Sequence, residues 1–449
     1  MRILILNGSP KGDYSITLQT AKYLEKIFNE HSFDYLNIGQ GIKGIERDSS
    51  KALEKLSQAE LVVFAYPVYT FMAPYQVHRF IEILKESGIN LKDKFVTQIS
   101  TSKHFYDVTA HRYIQDNCFD LGMKYINGLS ADMDDLPTEK GQKEAVEFLK
   151  YVLWCIENNI SEQNLNISTT PRRISVEFCD DNNEDKSGDV AIVTNCENDD
   201  IQLQNMISSF AGKCNLKTRV VNIKDYPFKG GCLGCLNCAT DGNCVYKDGF
   251  DEFLRSNIQN AQAIIYAFSI KDHSMGASFK LYDDRQFCNG HRSVTMGMPV
   301  GYIVSGNYSE ETNLQTIITA RANVGGNFLA GVATDEFNPD ESLNKLALSL
   351  QYALENKYVP PQNFYGVGGM KIFRDLIWIM QGFMKADHKF YKSHKQYDFP
   401  QKKKGMMILS YLLGAAVSNP KIKSKMGNKI NEGMLMPYKK VFDDLEKNK

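Results

Sequence analysis

The stretch Arg2-Ile3-Leu4-Ile5-Leu6-Asn7-Gly8-Ser9-Pro10-Lys11-Gly12-Asp13-Tyr14-Ser15-Ile16-Thr17 decides how the rest of the chain is read. Ile3 to Leu6 is a short continuous apolar run, the pattern of a strand buried on both faces of a parallel sheet. Gly8, Pro10 and Gly12 break it. Leu18, Ala21, Leu24, Ile27 and Phe28 then recur at helical spacing. The turn therefore sits at the carboxyl end of a strand, where doubly wound sheets bind ligands. A helix N-terminus offers unpaired N–H groups and the positive end of its dipole. Ser9, Ser15 and Thr17 add hydroxyls and Lys11 adds charge. The set suits a phosphate monoester. It is neither a Walker A loop nor G-x-G-x-x-G. A plain strand–helix turn would use only Ser15 or Thr17, as a helix cap.

The same alternation continues outward. Leu61–Ala65 reads as a strand ended by Pro67, with a helix at Val77, Phe80, Ile81 and Leu84, and Lys94–Ile99 reads as a third strand. From Asn158 to Ser187 the chain is polar and reads as linker, with one strand expected at Arg173–Phe178. A second unit follows. Its expected strands are Val190–Val193, Thr218–Ile223, Ala263–Phe268 and Val300–Val304, with helical periodicity at Leu314–Ala322 and Leu343–Leu354. Alternating strands and helices indicate α/β units with parallel sheets. The expected organisation is two doubly wound parallel-sheet domains in tandem, over residues 1–160 and 189–340. A linker at 161–188 joins them, and a helical, basic extension runs over 341–449.

A length of 449 residues allows about three domains. With 43% apolar and 23% charged residues, the chain is neither disordered, collagenous nor a coiled coil. A net charge of −1 gives no reason to expect nucleic acid. The charge is unevenly spread: residues 371–449 carry a net +10 and residues 1–370 a net −11. Three readings of the basic tail follow: it packs on the acidic body, docks on a redox partner or dimer mate, or lies on an anionic membrane surface. The N-terminal apolar run is too short for a signal-peptide core, so a cytoplasmic protein with reduced thiols is expected. The longest apolar run, Met406–Val417, falls short of the roughly 20 residues of a membrane span.

Two further loops reach the same sheet edge as the first. Tyr66-Pro67-Val68-Tyr69-Thr70-Phe71-Met72-Ala73-Pro74 is aromatic and shaped by proline, which suits a flat ring. Ser100-Thr101-Ser102-Lys103-His104-Phe105-Tyr106-Asp107, followed by His111, brings hydroxyls and proton donors. Gly8-Ser9-Pro10 with Ser15-Ile16-Thr17, then Pro67-Val68-Tyr69, resembles the flavodoxin-like NAD(P)H-dependent FMN reductases. The resemblance implies that Ser9, Lys11, Ser15, Ile16 and Thr17 hold the FMN phosphate. It implies that Pro67, Val68, Tyr69 and Thr70 lie along the isoalloxazine, with Ser100, Thr101 and Ser102 completing the site. NAD(P)H is the implied electron donor. His104, Tyr106 and His111 are the candidates for protonating a reduced substrate, since imidazole titrates near working pH.

Cys232-x2-Cys235-x2-Cys238-x5-Cys244 is the second motif. Three thiolates spaced by two residues wrap one iron–sulfur cube. Structural zinc usually joins two knuckles across a longer insert, and free thiols or a disulfide remain open. With Lys247-Asp248-Gly249-Phe250 the motif resembles the iron–sulfur flavoproteins, which implies a [4Fe–4S] cluster on Cys232, Cys235, Cys238 and Cys244. The second unit's first loop, Thr194 to Asp200, carries Glu197, Asp199 and Asp200 where a phosphate would bind. A division of labour is expected, with FMN on the first unit and the cluster on the second. The expected function is a flavin-dependent oxidoreductase passing electrons from NAD(P)H to a small acceptor or redox partner, as a homo-oligomer. The alternatives are a dedicated electron carrier and a non-enzymatic binding module with structural zinc.

Overall fold

The computed structural model describes residues 1–69, 71–164, 173–179 and 186–417. It divides into two compact units, residues 1–391 and 392–449.

The first half of the larger unit runs β1 (Arg2–Asn7), α1 (Ile16–Ile27), β2 (Ser32–Leu36), α2 (Ile38–Arg47), α3 (Ser50–Gln58), β3 (Leu61–Pro67), α4 (Tyr75–Ser87), β4 (Phe95–Ser102), α5 (Asp107–Asp120), β5 (Lys124–Tyr125), β6 (Leu129–Asp132) and α6 (Glu139–Glu157). The strands pair in the order β2-β1-β3-β4-β5, with β6 also on β4, and every pairing is parallel. β3 is apolar throughout because α1 and α6 cover one of its faces while α2 and α4 cover the other.

The second half runs β7 (Val190–Thr194), α7 (Ile201–Lys213), β8 (Thr218–Asn222), α8 (Asn237–Asp241), α9 (Phe250–Leu254), β9 (Ala263–Ser269), α10 (Gly276–Arg285), β10 (Pro299–Ser305), α11 (Thr312–Gly325), β11 (Phe328–Thr334) and α12 (Pro339–Asn356). Its sheet order is β8-β7-β9-β10-β11, again all parallel. Both sheets thus share the doubly wound order in which the chain reverses direction beside its first strand. The expected fold class is observed. The expected strand at Arg173–Phe178 is not. Val176 N–H donates to the Gln202 side chain, and Gln202 and Asn205 donate back to Ile174 and Val176. Apart from one backbone bond, Ile174 N–H to Asp335 O (2.8 Å), the segment is held by side chains and enters no strand ladder.

The halves meet around a pseudo-two-fold axis. The Tyr75 amide at the start of α4 donates to Asp284 on α10 (2.8 Å), and the Ala277 amide at the start of α10 donates to Glu82 on α4 (2.8 Å). The same sequence interval separates Tyr75 from Ala277 and Glu82 from Asp284. Each helix therefore carries the carboxylate that satisfies the other's N-terminus, the self-complementary pattern of an isologous interface. The loops preceding these helices also match, with reciprocal backbone hydrogen bonds between Tyr69 and Met72 and between Lys271 and Ser274.

Beyond α12, α13 (Phe364–Ile379) packs on α11, and α14 (Lys385–Ser393) buries Asp387 and Tyr391. This early part of the tail packs on the body. α15 (Lys404–Val417) belongs to the smaller unit. Among the described residues, no helix is long and apolar enough to cross a membrane.

Candidate functional site

The β1–α1 loop is built around Asn7. Its side chain donates to Gly12 O (3.1 Å) and Asn37 Oδ1 (2.9 Å), while its Oδ1 accepts from Ser9 N. Gly8 is required by space, because a Cβ there would lie 2.4 Å from Val77. Ser15 caps α1, its hydroxyl accepting from Leu18 N (3.2 Å). The first amides of a helix have no partner within it, and Ser15, Ile16 and Thr17 at this end of α1 line a cavity together with Lys11. Lys11 forms no ion pair among the described residues. Thr17 and Thr101 share a hydroxyl–hydroxyl bond of 2.5 Å that ties the first loop to the end of β4.

The cavity measures about 880 Å³. Ser9, Lys11, Ser15, Ile16, Thr17, Pro67, Val68, Tyr69, Thr101 and Ser102 all line it, so the three loops named from sequence converge. Ser100 lies beneath the surface, bonded to His111 Nε2 (2.8 Å). Thr70 lies outside the described residues.

The three proton-donor candidates are not brought to the cavity lining. His104, at φ +55°, points its Nδ1 to Asp107 (2.8 Å). Tyr106 donates to Tyr365 O (2.6 Å) and packs on Phe71 and Phe105. Burial pushes the His111 imidazole down to about 4, so it is neutral at ordinary pH.

The cysteine loop faces this site from the second domain. Cys232, Cys235 and Cys238 line the cavity, whereas Cys244 does not. Gly234, at φ +61°, lies so close to the first domain that a Cβ would sit 2.2 Å from Tyr69 Oη and 3.4 Å from Lys11 Cε. Burial, then the nearby Cys232 thiol and Asp284, raises the Tyr69 phenol well above its usual value. All ten cysteines are free. Burial pushes the Cys238 thiol up to about 11 and also raises Cys232 and Cys244, so without a metal these are thiols.

The donor set suits iron or zinc in kind. Zinc requires its ligands to converge on one point at about 2.3 Å. Among the described residues, no three His, Cys, Asp or Glu side chains are grouped for a metal ion. That arrangement supports neither the structural-zinc alternative nor the expected iron–sulfur cluster, which rests on the spacing of the four cysteines.

The far wall of the cavity was not foreseen. His291 lines it, with Nδ1 on Asp387 Oδ2 (2.9 Å) and its backbone N–H on the same oxygen (3.1 Å). Asp387 is fully buried. Gly290, at φ +62°, leaves room for this carboxylate, since a Cβ would lie 2.3 Å from Asp387 Oδ1. Phe287 meets Tyr69 edge-on at 5.9 Å, and Phe373 of α13 meets His291 at 5.0 Å. Nothing local in the sequence links residues 291 and 387. The two are joined only when the tail packs back.

At the base, the buried Lys280 donates to Asp283 (3.1 Å), to Asp284 and to Tyr69 O (3.3 Å). Arg321 grips Asp283 through two bonds of 2.5 and 2.6 Å. Burial would raise the Asp283 carboxyl, but Arg321 and Lys280 hold it below the usual range. Each charge in this cluster has an opposite partner, as burial demands.

Residues 1–144 match a family model described as Flavodoxin-like fold. This agrees with the strand order of the first domain, which has that fold. No curated protein matches the chain. Similar solved structures include the NAD(P)H:(acceptor) oxidoreductase FerB from Paracoccus denitrificans, at 16% identity over 35% of this chain and 97% of that one, TM-score 0.30. An azoreductase from Bacillus anthracis str. Sterne is 12% identical over 34% of this chain and 99% of that one, TM-score 0.27. An NAD(P)H:quinone oxidoreductase from Methanothermobacter marburgensis is 11% identical over 36% of this chain and 98% of that one, TM-score 0.26.

Proposed function

We propose that the chain is an FMN-dependent oxidoreductase that takes a hydride from NAD(P)H and reduces a small acceptor in the cavity between its two α/β domains. One observation carries the reading: three loops of the first sheet and the cysteine loop of the second domain face one cavity of about 880 Å³. Such a volume suits a cofactor with a second small ligand.

When bound, FMN supplies two-electron and one-electron chemistry. The chain's own residues then divide the work. The start of α1, with Lys11 and the Ser9 and Ser15 hydroxyls, binds the phosphate. Pro67, Val68 and Tyr69 orient the ring, and the Thr17–Thr101 bond keeps the two loops in register. Phe287, Phe373, Met380 and Met384 make the opposite wall apolar and exclude water. His291, oriented by Asp387, presents its imidazole to that wall.

Cys232, Cys235, Cys238 and Cys244 are assigned as ligands of a [4Fe–4S] cluster. The spacing and the position of three of them on the cavity wall support this assignment.

The test is anaerobic purification with a visible spectrum and quantification of flavin and iron. Flavin near one per chain with about four irons is the expected result. A Cys232→Ala/Cys235→Ala variant should keep flavin and lose iron. Flavin without iron removes the cluster assignment alone. A preparation with neither, after reconstitution, removes the oxidoreductase reading.

A further inference from the structure

We propose that α15 docks the protein on an anionic membrane surface. The proposal does not depend on the flavin reading.

Met406, Met407, Ile408, Leu409, Tyr411 and Leu412 of α15 are each more than half exposed. Successive helical residues turn by about 100°, so Met406 to Leu409 alone already cover most of the circumference. The exposed apolar surface therefore runs round the helix instead of forming one stripe. A stripe suits the groove of a protein partner. An all-round apolar surface suits an apolar medium.

Length sets the depth. Fourteen helical residues extend about 21 Å, short of the roughly 30 Å hydrocarbon core. An apolar segment of about 10–14 residues that is not buried in a protein core fits the interface.

Charge selects the occupant. Residues 399–417 hold three consecutive lysines, at 402, 403 and 404, directly at the start of α15, and no Asp or Glu. A second copy of this chain would bring the same positive charge to the contact. An anionic bilayer offers the opposite charge to the lysines and an apolar layer to the helix in one surface.

The experiment uses the full chain and sedimentation with vesicles. One set is phosphatidylcholine alone, and the other contains about 30 mol% phosphatidylserine. Binding to the anionic vesicles should be at least about tenfold stronger, and should fall between about 0.05 and about 0.5 M salt. Lys402→Gln/Lys403→Gln/Lys404→Gln should weaken it by about two orders of magnitude. Leu409→Glu/Leu412→Glu should abolish it. Both leucines are exposed, so thermal unfolding should show these variants as folded as the parent. No binding to anionic vesicles at low salt overturns the proposal. So does equal binding to both vesicle types. A concentration-dependent oligomer that Leu409→Glu/Leu412→Glu breaks, without vesicle binding, assigns the helix to a second copy and also overturns it.

Discussion

The two sheets have one strand order and two different carboxyl edges. The first edge is open. Its β1–α1 loop ends in a neutral cap, Ser15, and Lys11 stands beside the cavity without an ion pair among the described residues. The second edge is engaged by side chains of its own chain. Asp200 caps α7 through Leu203 N (3.2 Å) and accepts a hydrogen bond from Ser269. Arg173, arriving from the linker, donates to Ser305 (3.1 Å) and lies 3.7 Å from the buried Asp335. The same scaffold can thus present a helix N-terminus to a ligand or satisfy it internally with a carboxylate. In this chain the second domain forms a wall of the first domain's cavity, and the N-terminus of its own α7 is satisfied by Asp200.

The largest expected effect comes from making the first edge resemble the second. Ser15→Asp keeps an equally good helix cap but places a carboxylate where the phosphate would sit. Like charges a few ångströms apart near a protein surface repel by several kcal/mol (about 4 at 4 Å). Flavin affinity should fall at least about a hundredfold while the melting temperature stays put. Flavin titration with parallel thermal unfolding checks both. Unchanged affinity would show that the α1 terminus is not the phosphate site.

The interface offers a second contrast. The interval that relates Tyr75 to Ala277 also relates Phe71 to His273, and both residues have positive φ, +76° and +61°. Phe71 is packed in aromatic rings, whereas His273 bridges Asp120 (3.0 Å) and Glu311 (2.9 Å). Burial alone would lower the His273 pKa. The hydrogen bonds to Asp120 and Glu311 outweigh it and raise the group to about 10. Its folded value therefore exceeds the unfolded value of about 6.5. The resulting stability is complete below about pH 6.5 and is lost as pH rises toward 10. His273→Gln should cost about 2 kcal/mol at pH 6, and the gap to the parent should close by about pH 10. Unfolding curves for both proteins at the two pH values measure this. A constant gap would refute the ion bridge.

How far the sequence revealed this contrast depends on the range of each signal. β1, β3, β7 and β9 were legible because their apolar runs are local and bounded by turn residues. β2, Ser-Phe-Asp-Tyr-Leu, is an edge strand with partial exposure, and β11 contains Gly331 and small residues, so neither carries a strong run. The β1–α1 loop and the cysteine loop are each continuous in sequence, so each could be read as a motif. Their approach to one another at Gly234 and Tyr69 could not be read, because it depends on how α4 and α10 pair. The same limit hid His291 and Asp387, which meet only through the fold of the tail.

That hidden pair gives the next effect in size. His291→Gln removes the imidazole held by Asp387 but keeps a polar side chain of similar reach. Under the proposed function, kcat/KM for the acceptor should drop about tenfold, within the range of a lost positioned hydrogen bond. Flavin content and the rate of flavin reduction by NAD(P)H should hold. A loss confined to flavin reduction would move His291 from the acceptor side of the cavity to the donor side.

The smallest effect is the converse of the first. Asp200→Ala removes the carboxylate that caps α7 and accepts from Ser269. Losing the cap should cost about 1 kcal/mol. It should not create a second flavin site, because Glu197 and Asp199 remain in the loop, Arg173 still engages Ser305 and Asp335, and the loop has no lysine to match Lys11. Flavin per chain should therefore stay at the parent's value while stability drops slightly. A rise toward two flavins per chain would mean that one carboxylate alone separates the halves, and that the Arg173 contacts are secondary.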